Sequence, residues 1–350
     1  MTKKMTSRER VEAVFRGELP DRVPMHDLAN LVISKAMGYQ MKDLRFDAEK
    51  SVDATLKFNK MTGSDFLLVP CIETPAMFMD LGVDVTLPDD NYGNVMGVWL
   101  KTPEDIDSKE LYDTYDPKAS KYMRLGITDK IALLNKKNNT GALTAGWSWG
   151  VMTTAGFLRG VETLLMDTMT EPELAKKVIK KATTLVDGVM SVGLDSKSDS
   201  VWLPDPTASG TVISKETFDE FVADDTRKLF KKWYSKYHVP SIFHVCGDTV
   251  PIMDSMPGLG MDCLSVDHLI DIAVAKERIG DKLTIMGNVH PIDVVWNGTP
   301  NAVMAASKVC IDKAAKGGRY ILSTGCEIPR DAPVENIHAM LLAAEKYGRY

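Results

Sequence analysis

Short apolar runs alternate with longer amphipathic stretches along almost the whole 350-residue chain. Short runs rich in apolar and β-branched residues, bounded by turn residues, read as buried strands, and recurrence at three and four residues reads as helix. The pattern predicts strands at Arg22–His26, Phe66–Pro70, Ala142–Trp147, Val201–Pro204, Ser241–Val245, Cys263–Val266, Thr284–Gly287 and Tyr320–Ser323. Helical periodicity separates most of them. Pro172 and the flanking Glu171 and Glu173 mark a helix start, because proline suits the first turn and carboxylates suit the positive end of the helix dipole; this helix is predicted over Glu171–Gly193. Ser214 is the expected N-cap of a helix running to about His238. Thr299–Lys316 closes on Gly317-Gly318, and a last helix is expected over Pro333–Tyr347.

Eight alternating strand–helix units favour a closed parallel (β/α)8 barrel over an open doubly wound sheet. The segment 7–20 reads as a helix ahead of the first strand, with Ser7 as cap, Val11, Val14 and Phe15 as its apolar stripe and Gly17 as its stop. The Gly-, Pro- and Asp-containing stretch 71–115 reads as an insertion over the barrel mouth. No linker, repeat or low-complexity tract divides the chain, so a single domain over 1–350 is expected.

Composition narrows the function. The basic residues are scattered and the formal net charge is −6, unlike the basic stripe of a nucleic-acid binder. No apolar run reaches the roughly 18 residues of a membrane span, and no apolar segment follows the first lysines as in a signal peptide. Five widely spaced cysteines make a disulfide framework a poor expectation, so a cytoplasmic chain with thiols in packing or metal binding is expected. Neither a G-x-G-x-x-G after a strand nor a phosphate-loop motif supports a nucleotide.

The chemistry concentrates at two strand ends. Phe243-His244-Val245-Cys246-Gly247-Asp248 closes the fifth expected strand, where side chains two apart share one face, so His244 and Cys246 can converge. Ser323-Thr324-Gly325-Cys326-Glu327 closes the eighth. Carboxyl ends of barrel strands are where active sites form. One imidazole and two thiolates suit zinc, and three protein ligands leave a fourth position for an exogenous ligand; Asp267, just past the sixth strand, is a candidate for that position at rest. H-x-C alone is a weak pattern, and a lone cysteine is more often a small buried side chain. Packing is the expectation for Cys263 and Cys310, while Cys71 and His26 stay open between pocket and packing roles.

Arg8-Glu9-Arg10-Val11 with Asp21-Arg22-Val23-Pro24, Asp205-Pro206, His244-Val245-Cys246-Gly247, Gly287-Asn288-Val289, and Gly325-Cys326 followed by Pro333 and Glu335-Asn336 resemble the anchors of the uroporphyrinogen decarboxylase superfamily. The H-x-C with a late G-C is similar to its corrinoid-dependent methyltransferase branch, including methylcobamide:coenzyme M methyltransferases. That resemblance implies a TIM barrel with zinc held by His244, Cys246 and Cys326, and a carboxylate ligand matching Asp267, where relatives carry Glu. The decarboxylases resemble the chain less. Their arginine-rich signature is replaced by Met25-His26-Asp27-Leu28-Ala29-Asn30, which offers no arginine to clamp porphyrin carboxylates.

The implied reaction moves a methyl group between the corrinoid (methylcobalamin) of a separate corrinoid protein and a zinc-activated thiol such as coenzyme M. The chain shows no D-x-H-x-x-G pattern of a cobalamin domain of its own. Asp205, Asn288 and Glu327 are candidates for the pocket wall, and each can instead be a polar group tying a loop. Two alternatives stand beside this reading. One is a demethylating enzyme passing a methyl group from a methoxylated or methylated substrate to Co(I), for which Met77, Phe78, Met79, Tyr92, Trp99, Trp147 and Trp149 offer aromatic and apolar surface. The other is a non-enzymatic corrinoid- or zinc-binding module, against which an open three-ligand site argues. Nucleic-acid and membrane partners are not expected.

Overall fold

A computed structural model describes residues 4–69, 73–109 and 116–350. Seven parallel strands form one curled sheet in the order β1 (Phe66–Leu67), β4 (Leu143–Trp147), β5 (Ser200–Pro204), β6 (Ser241–Val245), β7 (Cys263–Val266), β8 (Thr284–Val289) and β9 (Tyr320–Thr324). Residues 24–26 fill the gap between β9 and β1. The His26 amide donates to Leu322 O at 2.9 Å, the Leu322 amide to Pro24 O at 2.9 Å, and the Asp65 amide to Met25 O at 2.8 Å. The eight predicted strand positions are thus all used, and the barrel closes.

The first of them is not a regular strand. It is reduced to bridges at Arg22↔Arg349 and Met25↔Leu322, because Pro24 has no amide to donate and the Met25 amide goes to the Asp65 carboxylate at 2.8 Å. The strand expected over Phe66–Pro70 pairs only at Phe66 and Leu67. β5 to β9 are buried along their whole length, as expected of parallel strands covered on both faces, and β4 up to its last residue, Trp147.

Inside the barrel, Phe66, Leu143, Trp202, Ile242, Cys263, Met286 and Ile321 pack together, contributed by successive strands. The period of two along β6 then places His244 on the same inward face as Ile242, one step nearer the carboxyl end. Helix α1 (Ser7–Arg16) packs Val11, Val14 and Phe15 into this same cluster from the amino-terminal side, and Gly17 ends it in the left-handed conformation. Its cap is Thr6 rather than the expected Ser7, with Glu9 completing a capping box. The helix expected after Ser214 is capped by that serine but breaks at Val222, giving Lys215–Phe221 and Ala223–Tyr237.

Within 71–115, the described residues form a helix over Glu73–Asp80, a hairpin of β2 (Val85–Thr86) with β3 (Asn94–Val95), and a helix over Pro103–Ser108. Cys71 lies outside the described residues. Among the described residues no helix is long and apolar enough to cross a membrane.

Barrel closure rests on a fully buried carboxylate. Asp65 accepts from Arg10 Nη1 at 2.7 Å, Arg22 Nη1 at 2.9 Å and the Met25 amide at 2.8 Å, while Arg10 also holds Asp21 at 2.7 Å. Removing one member leaves buried charge uncompensated, so Asp65→Ala is expected to cost about 3–5 kcal/mol of folding stability. Urea unfolding checks it, and a loss below about 1 kcal/mol would place the cluster with ordinary surface pairs.

Candidate metal centre

β6 and β9 are separated by β7 and β8 in the sheet, so their ends meet only because the sheet curls. At that meeting point His244, Cys246 and Cys326 bring three ligand atoms within 4.8 Å of one another. His244 Nε2 lies 3.2 Å from Cys246 Sγ, and the two sulfur atoms are 3.7 Å apart. A tetrahedral zinc bound at ordinary lengths separates its sulfur ligands by about 3.8 Å and its nitrogen and sulfur ligands by about 3.6 Å. The three side chains therefore stand close to the spacing the ion requires.

The surrounding residues orient these donors. Parallel pairing sets Ser265 of β7 beside His244, and its Oγ lies 3.0 Å from Nδ1, leaving Nε2 to face the thiols. Gly247 turns with φ +78° just after Cys246, and a Cβ there would stand 2.7 Å from the Ser209 and Thr211 hydroxyls. A Cβ on Gly325 would come within 2.2 Å of the His268 amide nitrogen. Each ligand cysteine thus has a glycine beside it that lets the backbone approach closely. The hydrogen bond between the two sulfurs holds Cys326 below the ordinary thiol range and pushes Cys246 above it.

The three ligands lie in the wall of a cavity of about 370 Å³. Its other walls are mainly apolar and aromatic, with Trp147, Trp149, Phe157 and Trp202 on one side and Tyr92 and Val95 of the hairpin region on another. Residues 92–95 of the expected insertion thus reach the barrel mouth. Tyr92, Trp147 and Trp149 line the cavity as the aromatic alternative expects, whereas Met77, Phe78 and Trp99 are buried in the main core.

Residues 6–347 match the family model described as uroporphyrinogen decarboxylase (URO-D). The chain belongs to the URO-D family. Among curated URO-D relatives, a methylated-thiol–coenzyme M methyltransferase from Methanosarcina mazei is 32% identical over 194 residues, spanning 55% of this chain and 50% of that protein. A methylcobamide:CoM methyltransferase from Methanosarcina acetivorans is 24% identical and spans 98% of both chains. The solved structure of a methyltransferase from Methanosarcina mazei superposes with a TM-score of 0.83 at 20% identity, covering 98% of this chain and 99% of that one.

The remaining expected site residues of this URO-D chain separate by position. Asp267 is beside the metal ligands but not joined to them. Its Oδ2 accepts from the Gly247 amide at 2.9 Å, and its Oδ1 accepts from the Leu269 amide at 3.0 Å and meets His268 Nδ1 at 2.8 Å. Both oxygens thus have protein partners, and Asp267 is not among the residues whose ligand atoms converge. Asp205 does not line the cavity. It accepts from the Met152 and Thr153 amides at 3.0 and 2.8 Å and from the Thr153 hydroxyl at 2.7 Å, holding the start of the helix Val151–Arg159. Asn288 donates to Asp267 O and Ile270 O at 3.0 and 2.8 Å. Only Glu327 stands in the cavity wall, accepting from Tyr92 Oη and the Leu31 amide, both at 3.2 Å.

Sequence reasoning missed Trp202 and left His26 open. His26 is fully buried between the Phe66 and Trp202 rings, at centroid distances of 4.8 and 5.1 Å, with neither ring nitrogen bonded to protein. Burial pushes its imidazole down to about 3, so it stays neutral. The position of Trp202 on an inward-facing strand site carried the signal, since alternation on β5 puts it on the barrel interior.

Burial raises the Asp205 carboxyl to about 6 despite its hydrogen bonds. A folded value above the unfolded one means that this group favours the fold fully below about pH 4 and loses that contribution as pH rises through 6. The stability difference between wild type and Asp205→Asn is therefore expected to shift against wild type by up to about 3 kcal/mol over that interval. Urea titrations at pH 4, 5, 6 and 7 measure it, and a flat difference would refute the assignment.

Proposed function

We propose that this chain is a zinc-dependent methyltransferase that moves a methyl group between the corrinoid of a separate corrinoid protein and a thiol. The observation that carries this reading is the convergence of His244, Cys246 and Cys326 in the wall of a cavity at the carboxyl end of the barrel. Three donors leave a metal one exchangeable position. Relatives covering nearly the whole chain are named as methylcobamide:CoM methyltransferases, which makes coenzyme M the reference acceptor.

Bound zinc would lower the pKa of a coordinated thiol and hold it as a thiolate near neutral pH. The protein's residues prepare that chemistry. Ser265 fixes the His244 ring, and Asp267 holds the turn that aims Cys246, with Asn288 bracing the Asp267 backbone. The resting carboxylate ligand expected from Asp267 would require it to leave the Gly247 amide; the positioning role is the one we assign. Asp205 likewise acts at a distance by fixing the helix behind Trp149, and Glu327 faces the substrate space. The aromatic walls exclude water from the reacting sulfur. Two thiolate ligands leave the ion weakly electrophilic, which suits a nucleophilic sulfur better than an ether whose leaving group needs a strong Lewis acid. Decarboxylation of a porphyrinogen fits poorly, because no lysine or arginine stands among the described residues lining the cavity.

Protein purified without added metal is expected to carry about one zinc per chain by elemental analysis and to demethylate methylcobalamin with a thiol. The Cys246→Ala/Cys326→Ala double variant is expected to lose both. Equal zinc in the two proteins would sink the metal assignment. Methylation of Co(I) by a methoxyarene with no thiol turnover would reverse the direction of transfer.

A further inference from the structure

The lining of the cavity says more about the substrate than the metal ligands do. An anionic thiol such as coenzyme M, whose sulfonate is charged at every physiological pH, calls for a lysine, an arginine or a cluster of amides at the far end of its site. No described lining residue is a lysine or arginine, and the residues outside the description at 70–72 and 110–115 include none either. Arg330 follows Glu327 by three positions but is not in the lining; its guanidinium faces Asp90 at 3.9 Å and Asp331 at 3.7 Å. Among the described lining residues other than His244, Cys246 and Cys326, the charged side chain is the carboxylate of Glu327, which repels an anion.

What the lining does offer is aromatic surface and two unmet hydrogen bonds. Trp147, Trp149, Phe157 and Trp202 face the space, and Trp147 meets Trp149 edge to face with centroids 4.9 Å apart. Trp149 Nε1 and Asn30 Oδ1 are buried without a protein partner, and both residues line the cavity. Buried polar atoms are rarely left unpaired, so an unanswered donor and an unanswered acceptor on residues of the cavity lining point to a polar group on the ligand. The volume of about 370 Å³ falls in the range of roughly 300–1,000 Å³ typical of sites for drug-sized molecules, more than a two-carbon thiol fills.

We propose that the cavity takes a small thiol with an uncharged aromatic body, an aryl or benzyl thiol whose ring carries a hydroxyl-type group that answers Trp149 Nε1. This inference rests on the methyl-transfer reading and narrows its substrate. The transfer forms a sulfur–methyl bond as the cobalt–methyl bond breaks; the bond's electron pair stays with the corrinoid, and the thiol proton passes to solvent. The product is the uncharged methyl aryl or methyl benzyl thioether.

Two measurements test it separately from the metal. In the first, the zinc-loaded enzyme turns over methylcobalamin with 4-hydroxybenzyl thiol, benzyl thiol or coenzyme M. The expected KM is at least tenfold lower for the hydroxybenzyl thiol than for coenzyme M. In the second, 4-hydroxybenzyl methyl sulfide is titrated against tryptophan fluorescence in wild type, in the metal-free Cys246→Ala/Cys326→Ala protein and in Trp149→Phe. Saturable quenching is expected in the first two, with roughly fivefold weaker binding in Trp149→Phe from loss of one hydrogen bond. The phenol-free benzyl methyl sulfide is expected to bind equally to wild type and Trp149→Phe. A KM for coenzyme M equal to or below that of the aryl thiols, or no quenching by the thioether, overturns the proposal. Quenching without turnover of any thiol would retire the methyl-transfer reading while leaving the aromatic cavity assignment in place.

Discussion

Asp65, buried ahead of β1, takes hydrogen bonds from Arg10 on the amino-terminal helix, from Arg22 and from the Met25 amide. Those contacts draw residues 24–26 into the gap between β9 and β1, and the sheet becomes a barrel only when that gap is filled. The candidate metal site depends on this closure, although it stands at the other end of the strands. β6 and β9 lie three steps apart in the sheet, and in a flat sheet His244 and Cys326 would be separated by more than the roughly 14 Å that three strand spacings impose. Curvature brings their ligand atoms within 4.8 Å. The cost of burying the ion cluster at one end is offset by the convergence it enforces at the other.

Above the ligands the polar groups are spent on holding loops. Asp205, Asp267 and Asn288 are each buried and each bonded to backbone of a neighbouring loop or helix start. A barrel mouth is built from loops with few internal ties, and buried side chains that cap them keep the ligand geometry fixed. The same economy leaves the cavity itself with little polarity, so selectivity for a ligand rests on shape, stacking and the two unanswered atoms of Trp149 and Asn30.

Much of this was legible in the sequence, for identifiable reasons. Buried parallel strands carry continuous apolar runs, so Ser241–Val245, Cys263–Val266 and Tyr320–Thr324 appeared at nearly their observed limits. The His244–Cys246 pair followed from the two-residue period of a strand, and Cys326 from its place past the last strand. Other features depend on tertiary pairing that a linear pattern does not carry. The strand expected at 22–26 dissolves into bridges because a distant carboxylate takes the Met25 amide. The Asp267 carboxylate is held by the Gly247 amide twenty residues earlier, a contact no linear pattern announces. The division of the insertion's aromatics, with Tyr92 in the cavity and Phe78 and Trp99 in the core, depends on how the hairpin folds back over the mouth.

The hydrogen bond from Tyr92 to Glu327 joins the hairpin segment to the residue next to Cys326. It ties the part of the cavity wall contributed by the hairpin segment to the loop that carries Cys326, and the Leu31 amide holds the same carboxylate from a third segment. The positions of three chain segments around the cavity are therefore coupled through the one side chain of Glu327.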